Sequence, residues 1–139
     1  MLPASEVSSK KGAHHTARVF VVDDDCSVRR ALGRLLRASG YETELFGAGE
    51  AYVAGPPPPR PACLLVDIRM PGMSGIDLQR AIRGTAMELP IVFITGHADE
   101  ETLESLAGES VRVLFKPIDE AALKQAVEQA LARSVERPS

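Results

Sequence analysis

The chain has 139 residues, the size of one domain, and 45% of them are hydrophobic, so a folded core is expected. Its formal net charge of −3 argues against the positive field that recruits nucleic acid or an anionic membrane surface. No apolar run approaches the ~20 residues of a membrane span or forms a signal-peptide core, which predicts a cytoplasmic protein. The two cysteines, Cys26 and Cys63, are too few for a disulfide framework and are expected as free thiols.

The first predicted strand and helix follow a polar N-terminal segment. Residues 1–17 lack hydrophobic periodicity and are expected to be a disordered tail. The domain is predicted to begin at residue 18, because the apolar run 19–22 is typical of a strand buried on both faces. Apolar residues then recur at helical spacing over 28–36, and Gly40 is expected to end that helix. Its other side carries four arginines, which indicate a solvated face or a partner surface: Arg29, Arg30, Arg34 and Arg37.

Strands and helices are predicted to alternate along the rest of the chain. Further strands are predicted at 41–46, 63–66, 91–94 and 111–115. Further helices are predicted at 49–54, after Gly75, at 100–107 and after Asp119. Five alternations predict an α/β fold in which helices cover both faces of a parallel sheet, because crossovers between parallel strands are right-handed. The domain is predicted to end at residue 133, with 134–139 as a tail or the start of a linker.

Polar residues end four of the five predicted strands: Asp23 and Asp24 the first, Asp67 the third, Thr95 the fourth and Lys116 the fifth. Because ligands bind at the carboxyl ends of parallel strands, we expect these side chains to lie together. Crowded carboxylates repel one another unless a cation joins them, and Mg²⁺ prefers such oxygen ligands together with a phosphate. A carboxylate can attack phosphorus while a hydroxyl and an ammonium neutralise the phosphoryl oxygens. The pattern therefore predicts Mg²⁺-dependent phosphoryl chemistry.

Four strings in the sequence carry a family resemblance: VVDDD, LLVDIRMPGMSG, IVFITGH and LFKP. They closely resemble the motifs of response-regulator receiver domains of bacterial two-component systems, and FixJ-type receivers look nearest. The resemblance covers about residues 18–133. It implies a flavodoxin-like, doubly wound (βα)5 three-layer sandwich with the strand order 2-1-3-4-5. It also implies a phosphoacceptor switch that catalyses only its own phosphorylation and dephosphorylation, and is therefore not an enzyme acting on a separate substrate.

The resemblance assigns roles to the residues at the sheet edge. Asp67 is implied as the phosphoacceptor, and Thr95 and Lys116 as the residues that bind the phosphoryl group. The implied Mg²⁺ ligands are Asp24 directly, Asp23 through water, Asp67, and the backbone carbonyl of Arg69. The implied phosphodonor is a sensor histidine kinase or a phosphotransfer protein. Output is expected towards an effector domain or a downstream protein, with a phosphorylation-linked homodimer as a further partner, and without direct contact to nucleic acid or membrane.

Several neighbouring residues are expected to modulate this chemistry. Arg69 and His97 are bulky enough to gate the attacking water, although His97 is equally compatible with a solvated loop position. Gly96 is expected to leave room for the phosphodonor. A cis peptide before Pro117 is expected to aim the Lys116 ammonium, since an X-Pro bond adopts cis at a cost of only about 0.5–1 kcal/mol.

Two departures from the family pattern concern the output. Val113 stands three residues before the lysine, where the family has an aromatic residue that follows the threonine inward on phosphorylation. The segment 95–116 is also about one residue shorter than in similar receivers. Phe115 is expected to be packing or partner surface rather than a replacement for the aromatic residue. These departures leave open a diverged receiver that acts as an adaptor or dimerisation module.

A phosphohydrolase is the remaining alternative. Residues 23–27 loosely resemble the D-x-D-x-S/T start of haloacid-dehalogenase-like enzymes, in which Asp23 would be the nucleophile. Those enzymes normally need a longer chain and a second acidic pair late in the sequence, where this chain has Lys116 and Pro117. Phosphate on Asp67 rather than Asp23 would decide between the two functions.

Overall fold

The computed structural model describes residues 17–96, 104, 106 and 111–136, and in them strands and helices alternate as far as the fourth strand. The strands are β1 (Arg18–Val22), β2 (Glu42–Phe46), β3 (Ala62–Asp67), β4 (Ile91–Thr95) and β5 (Arg112–Phe115). The helices are α1 (Cys26–Ala38), α2 (Gly49–Val53), α3 (Gly75–Ile82) and α4 (Glu120–Glu136).

The five strands form one parallel sheet in the order β2-β1-β3-β4-β5, which confirms the predicted α/β fold. Side chains alternate between the two faces of the sheet, so adjacent residues enter different cores. Val19 packs on one face with residues of α1 and α4, whereas Phe20 packs on the other with residues of α2 and α3. The sheet is thus buried between two helix layers, as expected for strands with unbroken apolar runs.

Side-chain caps start three of the helices. The Asp25 carboxylate accepts hydrogen bonds from two backbone amides in the first turn of α1. Ser74 and Asp77 form a reciprocal capping box at the start of α3. The Asp119 carboxylate accepts from the Ala122 amide at 2.9 Å, as the predicted cap of the last helix. These caps satisfy amides that have no partner within their own helix, and they set where each helix begins.

Residues next to both predicted domain boundaries contact the folded core. Ala17, predicted as tail, packs against a core cluster, and its carbonyl accepts from the Glu42 amide at 3.1 Å. Residues 134–136, predicted as tail or linker, continue α4. The Ser134 side chain is buried, and its Oγ accepts from the Ala62 amide at 3.1 Å. Because Ala62 begins β3, this bond joins the end of α4 to the sheet.

Some predicted features lie outside the described residues. They include residues 1–16 of the predicted tail, most of the predicted helix 100–107, and His97. Leu106, within the range of that helix, is described and is buried in the core with Phe20. Among the described residues, no helix has the length and apolar character needed to cross a bilayer.

Candidate functional site

The structure brings the predicted site residues together at the carboxyl edge of the sheet. Asp23 and Asp24 follow β1, Asp67 and Thr95 are the last residues of β3 and β4, and Lys116 follows β5. Carboxylate oxygens of the three aspartates lie within 4.8 Å of one another. The Lys116 Nζ atom lies 3.3 Å from Asp67 Oδ2 and 3.4 Å from Asp23 Oδ2. Three acids and one ammonium therefore share a single site.

One carboxylate oxygen of Asp23 faces the Lys116 ammonium in this cluster and accepts no hydrogen bond among the described residues. The residue is fully buried, and its Oδ1 atom accepts from the Asp25 amide at 2.9 Å. Its Oδ2 atom is buried and accepts no hydrogen bond among the described residues. The Lys116 ammonium at 3.4 Å compensates the charge on this oxygen in part. Because a buried carboxylate oxygen that accepts no hydrogen bond is costly, a further cation at this point would lower the free energy of the site. Together with the exposed carboxylate of Asp24, the site fits a hard divalent cation such as Mg²⁺.

Asp67 lies at the centre of the cluster and is 5% exposed. Its Oδ1 atom accepts from the Arg69 amide at 3.3 Å, and its Oδ2 atom accepts from Lys116 Nζ at 3.3 Å. Burial and then the Asp23 carboxylate raise the pKa of Asp67 from 3.8 to about 6, although Lys116 and the Arg69 amide act against them. The carboxylate form of Asp67 is therefore disfavoured in the folded chain relative to the unfolded one.

This raised pKa predicts that Asp67→Asn stabilises the chain at neutral pH. Between pH 4 and 6 the folded chain binds more protons at Asp67 than the unfolded chain, so the free energy of unfolding falls as pH rises through this window. The substitution removes that loss. We expect a gain of about 1–2 kcal/mol at pH 7.5, reduced from the full shift by solvent screening, and almost none near pH 4. Urea unfolding in EDTA at both pH values measures it.

Asp77→Asn is a control in which the free energy of unfolding at neutral pH should change in the opposite direction. The backbone and side chain of Ser74 lower the pKa of Asp77, so this carboxylate stabilises the fold when charged. Asp77→Asn should therefore be less stable than the unsubstituted chain at pH 7.5, and the difference should shrink as the pH falls below 4. An Asp67→Asn variant with the same pH dependence as the unsubstituted chain would contradict the raised pKa.

Lys116 is held by its backbone as well as by the carboxylates. Its amide donates to the Thr95 carbonyl at 2.8 Å, and its peptide bond to Pro117 is cis. Burial lowers the pKa of Lys116, but the Asp23 and Asp67 carboxylates outweigh it and leave the pKa raised. The ammonium is therefore charged at neutral pH and faces the acids. A methyl group at Gly96 would lie 3.8 Å from the Lys116 side chain, an ordinary contact.

The structure also shows two positions that the sequence analysis missed. The Gly75 amide donates to the Ile68 carbonyl at 2.8 Å, and a Cβ atom at Gly75 would lie 2.5 Å from the Asp67 carbonyl oxygen. The only sequence signal was a glycine directly after the cap of α3. Arg29, predicted on a solvated or partner face, instead donates to the Asp23 carbonyl at 2.7 Å. No local pattern indicated that contact.

The burial of four further residues singled out in the sequence can be compared with expectation. Val113 is half-buried against the core cluster of Phe20, so it faces the interior of the domain. Phe115 is 47% exposed, which agrees with the expectation of a surface residue. Cys63 is buried in β3 and Cys26 is exposed at the start of α1, and both are free thiols.

Known proteins share this fold and these motifs. The family model of the response regulator receiver domain matches residues 19–128. Nodulation protein W of Bradyrhizobium diazoefficiens is 39% identical over 122 residues, which cover 87% of this chain and 54% of that protein. The response regulator StyR is 42% identical with a TM-score of 0.78, over 88% of this chain and 63% of that chain. The crystal structure of FixJ-N is 31% identical with a TM-score of 0.75, over 85% of this chain and 95% of that chain.

These matches agree with the geometry of the site. The chain spans about half the length of the curated relatives it matches, so the similarity concerns one domain of those proteins. The match to FixJ-N confirms the resemblance to FixJ-type receivers and the flavodoxin-like fold. The chain therefore belongs to the response regulator receiver domain family.

Proposed function

We propose that this receiver domain accepts a phosphoryl group on Asp67 in a reaction that depends on Mg²⁺. The observation that carries the proposal is the contact of Asp67 with Lys116 at 3.3 Å, inside a cluster of three carboxylates at the sheet edge. This arrangement joins a nucleophile, a fixed ammonium and oxygen ligands for a divalent cation. Receiver domains of response regulators are typically phosphoacceptor switches, which supports the same chemistry here.

The residues of the site have separable roles in this reaction. An Asp67 carboxylate oxygen forms a bond to phosphorus while the phosphorus–nitrogen bond of a phosphohistidine donor breaks. The Lys116 ammonium, already beside Asp67, neutralises charge on the phosphoryl oxygens. The Thr95 hydroxyl is the second group that binds those oxygens. The residues that would hold Mg²⁺ are Asp24, Asp67, the Arg69 carbonyl and, through water, Asp23, and the ion would supply further charge neutralisation.

The modulating roles belong to the same proposal. Arg69 lies beside the phosphoacceptor, because its amide donates to Asp67 Oδ1 at 3.3 Å. We propose that Arg69 gates the water that hydrolyses the aspartyl phosphate and that Gly96 leaves room for the phosphodonor. His97, which lies outside the described residues, is a second candidate for gating and is equally compatible with a solvated loop position. The peptide bond between Lys116 and Pro117 is cis, and the Lys116 ammonium lies beside the acids.

The partners follow from the reaction. The phosphodonor is a sensor histidine kinase or a phosphotransfer protein in the cytoplasm. The output is a conformational change that phosphorylation favours and that an effector domain or a downstream protein reads. The domain modifies only itself, and it binds neither nucleic acid nor membrane directly, in keeping with its net charge of −3.

Intact-mass spectrometry after incubation with acetyl phosphate and Mg²⁺ tests the proposal. We expect a gain of one phosphoryl group that EDTA and Asp67→Ala both abolish, because the substitution removes the nucleophile and EDTA removes the metal. Asp77→Asn is the matched control, since Asp77 lies on α3 outside the carboxylate cluster and is exposed. Retention of the adduct by Asp67→Ala would contradict the assignment, and peptide mapping to Asp23 would support the phosphohydrolase alternative.

An adaptor or dimerisation module is the second candidate function. Two observations favour it. The exposed Phe115 adds an apolar side chain to the surface of β5, and Val113 replaces the aromatic residue that the family uses to read out phosphorylation. Light scattering with and without beryllium trifluoride distinguishes the two functions. A dimer that forms only with the phosphoryl mimic supports the switch, whereas a dimer that the mimic leaves unchanged supports the adaptor.

A further inference from the structure

Hydrogen bonds hold both the backbone and the side chain of Asp23. Its amide donates to the Phe46 carbonyl at 3.0 Å, as a continuation of the contact between β1 and β2. Its carbonyl accepts from Arg29 Nη1 at 2.7 Å, and its Oδ1 atom accepts from the Asp25 amide at 2.9 Å. Among the described residues Oδ2 accepts no hydrogen bond, and it lies 3.4 Å from the Lys116 ammonium at the carboxylate cluster.

The Arg29 contact acts on two carboxylates at once. The Asp23 carbonyl belongs to the peptide unit that joins Asp23 to Asp24, and that unit is planar. The hydrogen bond to the oxygen of this unit therefore restricts the ψ angle of Asp23 and the φ angle of Asp24. Asp24 is exposed, so the backbone is the main restraint on the direction of its side chain.

The loop after β2 is shaped to accept this guanidinium. A Cβ atom at Gly47 would lie 3.3 Å from Arg29 Nη1 and 3.8 Å from Arg29 Cζ. Gly47 has no positive φ, so its backbone conformation does not itself require glycine. The missing side chain instead provides room for Arg29, which lies between the Gly47 backbone and the Asp23 carbonyl.

We propose that Arg29 is a positioning residue for the divalent-cation site, acting through the peptide unit between Asp23 and Asp24. The inference rests on the proposed Mg²⁺-dependent function and extends it to a residue outside the carboxylate cluster. Partners that orient metal ligands in this way typically change metal affinity by about 10- to 100-fold when they are removed.

The sign of the effect separates positioning from simple electrostatics. Arg29 carries a positive charge close to the acids, and a nearby positive charge repels a metal cation. If charge were the only contribution of Arg29, its removal would tighten Mg²⁺ binding. If Arg29 positions the carboxylates, its removal weakens binding despite the favourable change in charge.

Isothermal titration calorimetry with Mg²⁺ alone measures this directly on the full chain. Arg29→Met should weaken Mg²⁺ binding by about 10- to 100-fold, because the peptide unit loses its donor. Arg29→Lys keeps both a charge and a donor and should regain most of the affinity. Arg30→Met is the matched control, since Arg30 is the exposed neighbour on the same helix and should leave the affinity unchanged.

Gly47→Ala provides an independent test if Arg29→Met fails to fold, which urea unfolding in EDTA reports. The added methyl group displaces the guanidinium by a few tenths of an ångström without changing any charge, so Mg²⁺ binding should weaken in the same direction. The amide ¹⁵N shifts of Asp24 and Asp25 in EDTA should move in both variants, which shows the change in backbone before any metal is added.

The outcomes distinguish this inference from the proposed function. Mg²⁺ binding by the unsubstituted chain together with unchanged or tighter binding by Arg29→Met would overturn the role of Arg29 alone. Weaker binding with rescue by Arg29→Lys would support it. If the unsubstituted chain bound no Mg²⁺, the proposed function and the inference would both be wrong.

Discussion

Lys116→Met should slow the phosphorylation of Asp67 by about 10²- to 10³-fold, the effect of removing one preorganised donor to developing negative charge. The substitution keeps an unbranched side chain of similar length and removes the ammonium that lies 3.3 Å from Asp67 and 3.4 Å from Asp23. Because Lys116 lowers the pKa of Asp67, its loss also leaves less of the reactive carboxylate at neutral pH. The rate of adduct formation with acetyl phosphate measures both consequences.

The loss of the ammonium should affect metal binding differently. Removing a positive charge from among three carboxylates favours another cation, so Lys116→Met should bind Mg²⁺ at least as well as the unsubstituted chain. Lys124→Met is the matched control, since Lys124 lies on α4 and pairs with Glu120 at 3.2 Å, outside the site. Phosphorylation of Lys116→Met at the normal rate would show that the ammonium does not stabilise the transferred group.

Gly75→Ala should damage both stability and phosphorylation. A Cβ atom at this position would lie 2.5 Å from the Asp67 carbonyl oxygen and 2.9 Å from Ile68 Cα, and both are backbone atoms that cannot rotate away. We expect the free energy of unfolding to fall by about 3 kcal/mol, the upper part of the usual range for overpacking. Displacement of the Asp67 backbone by about 1 Å should slow phosphorylation by about 10²-fold. Urea unfolding and adduct kinetics measure the two effects.

Gly55→Ala is the control for this substitution. A Cβ atom at Gly55 would lie 3.4 Å from the Tyr52 carbonyl oxygen, an ordinary contact. Gly55 lies between the end of α2 and the start of β3, whereas Asp67 is the last residue of β3. It should change neither the phosphorylation rate nor, by more than about 0.5 kcal/mol, the free energy of unfolding. A stable Gly75→Ala variant with a normal rate would mean that α3 can shift without moving Asp67.

Most of the fold could be predicted from local sequence because its signals are local. The apolar runs at 19–22 and 63–66 contain no polar alternation, which identified strands buried on both faces. Helical spacing over 28–36 identified α1, and the regular alternation of the two patterns identified a parallel α/β sheet. The strand order came from the family resemblance, because no residue pattern within one strand specifies its neighbours.

The contacts of residues near the two ends of the domain could not be predicted in the same way. The sequence around Ser134 is typical of a polar tail. In the structure the Ser134 hydroxyl accepts a hydrogen bond from the amide of Ala62, which is 72 residues away. Ala17 likewise belongs to the fold because its carbonyl accepts from Glu42 in β2. Both contacts join residues distant in sequence, and such contacts leave no periodic signal.

Part of the candidate site could be predicted from the sequence, and part was visible only in the tertiary structure. That Asp23, Asp24, Asp67, Thr95 and Lys116 would share one edge followed from the sequence, since each ends a strand and parallel strands end together. Only the tertiary structure decided which Asp23 oxygen accepts no hydrogen bond, how closely Gly75 approaches Asp67, and that Arg29 holds the Asp23 carbonyl. The physical reason is that residue type and spacing determine which strand or helix forms and where it ends. Distances of 2.5–3.5 Å between those elements depend on how they pack.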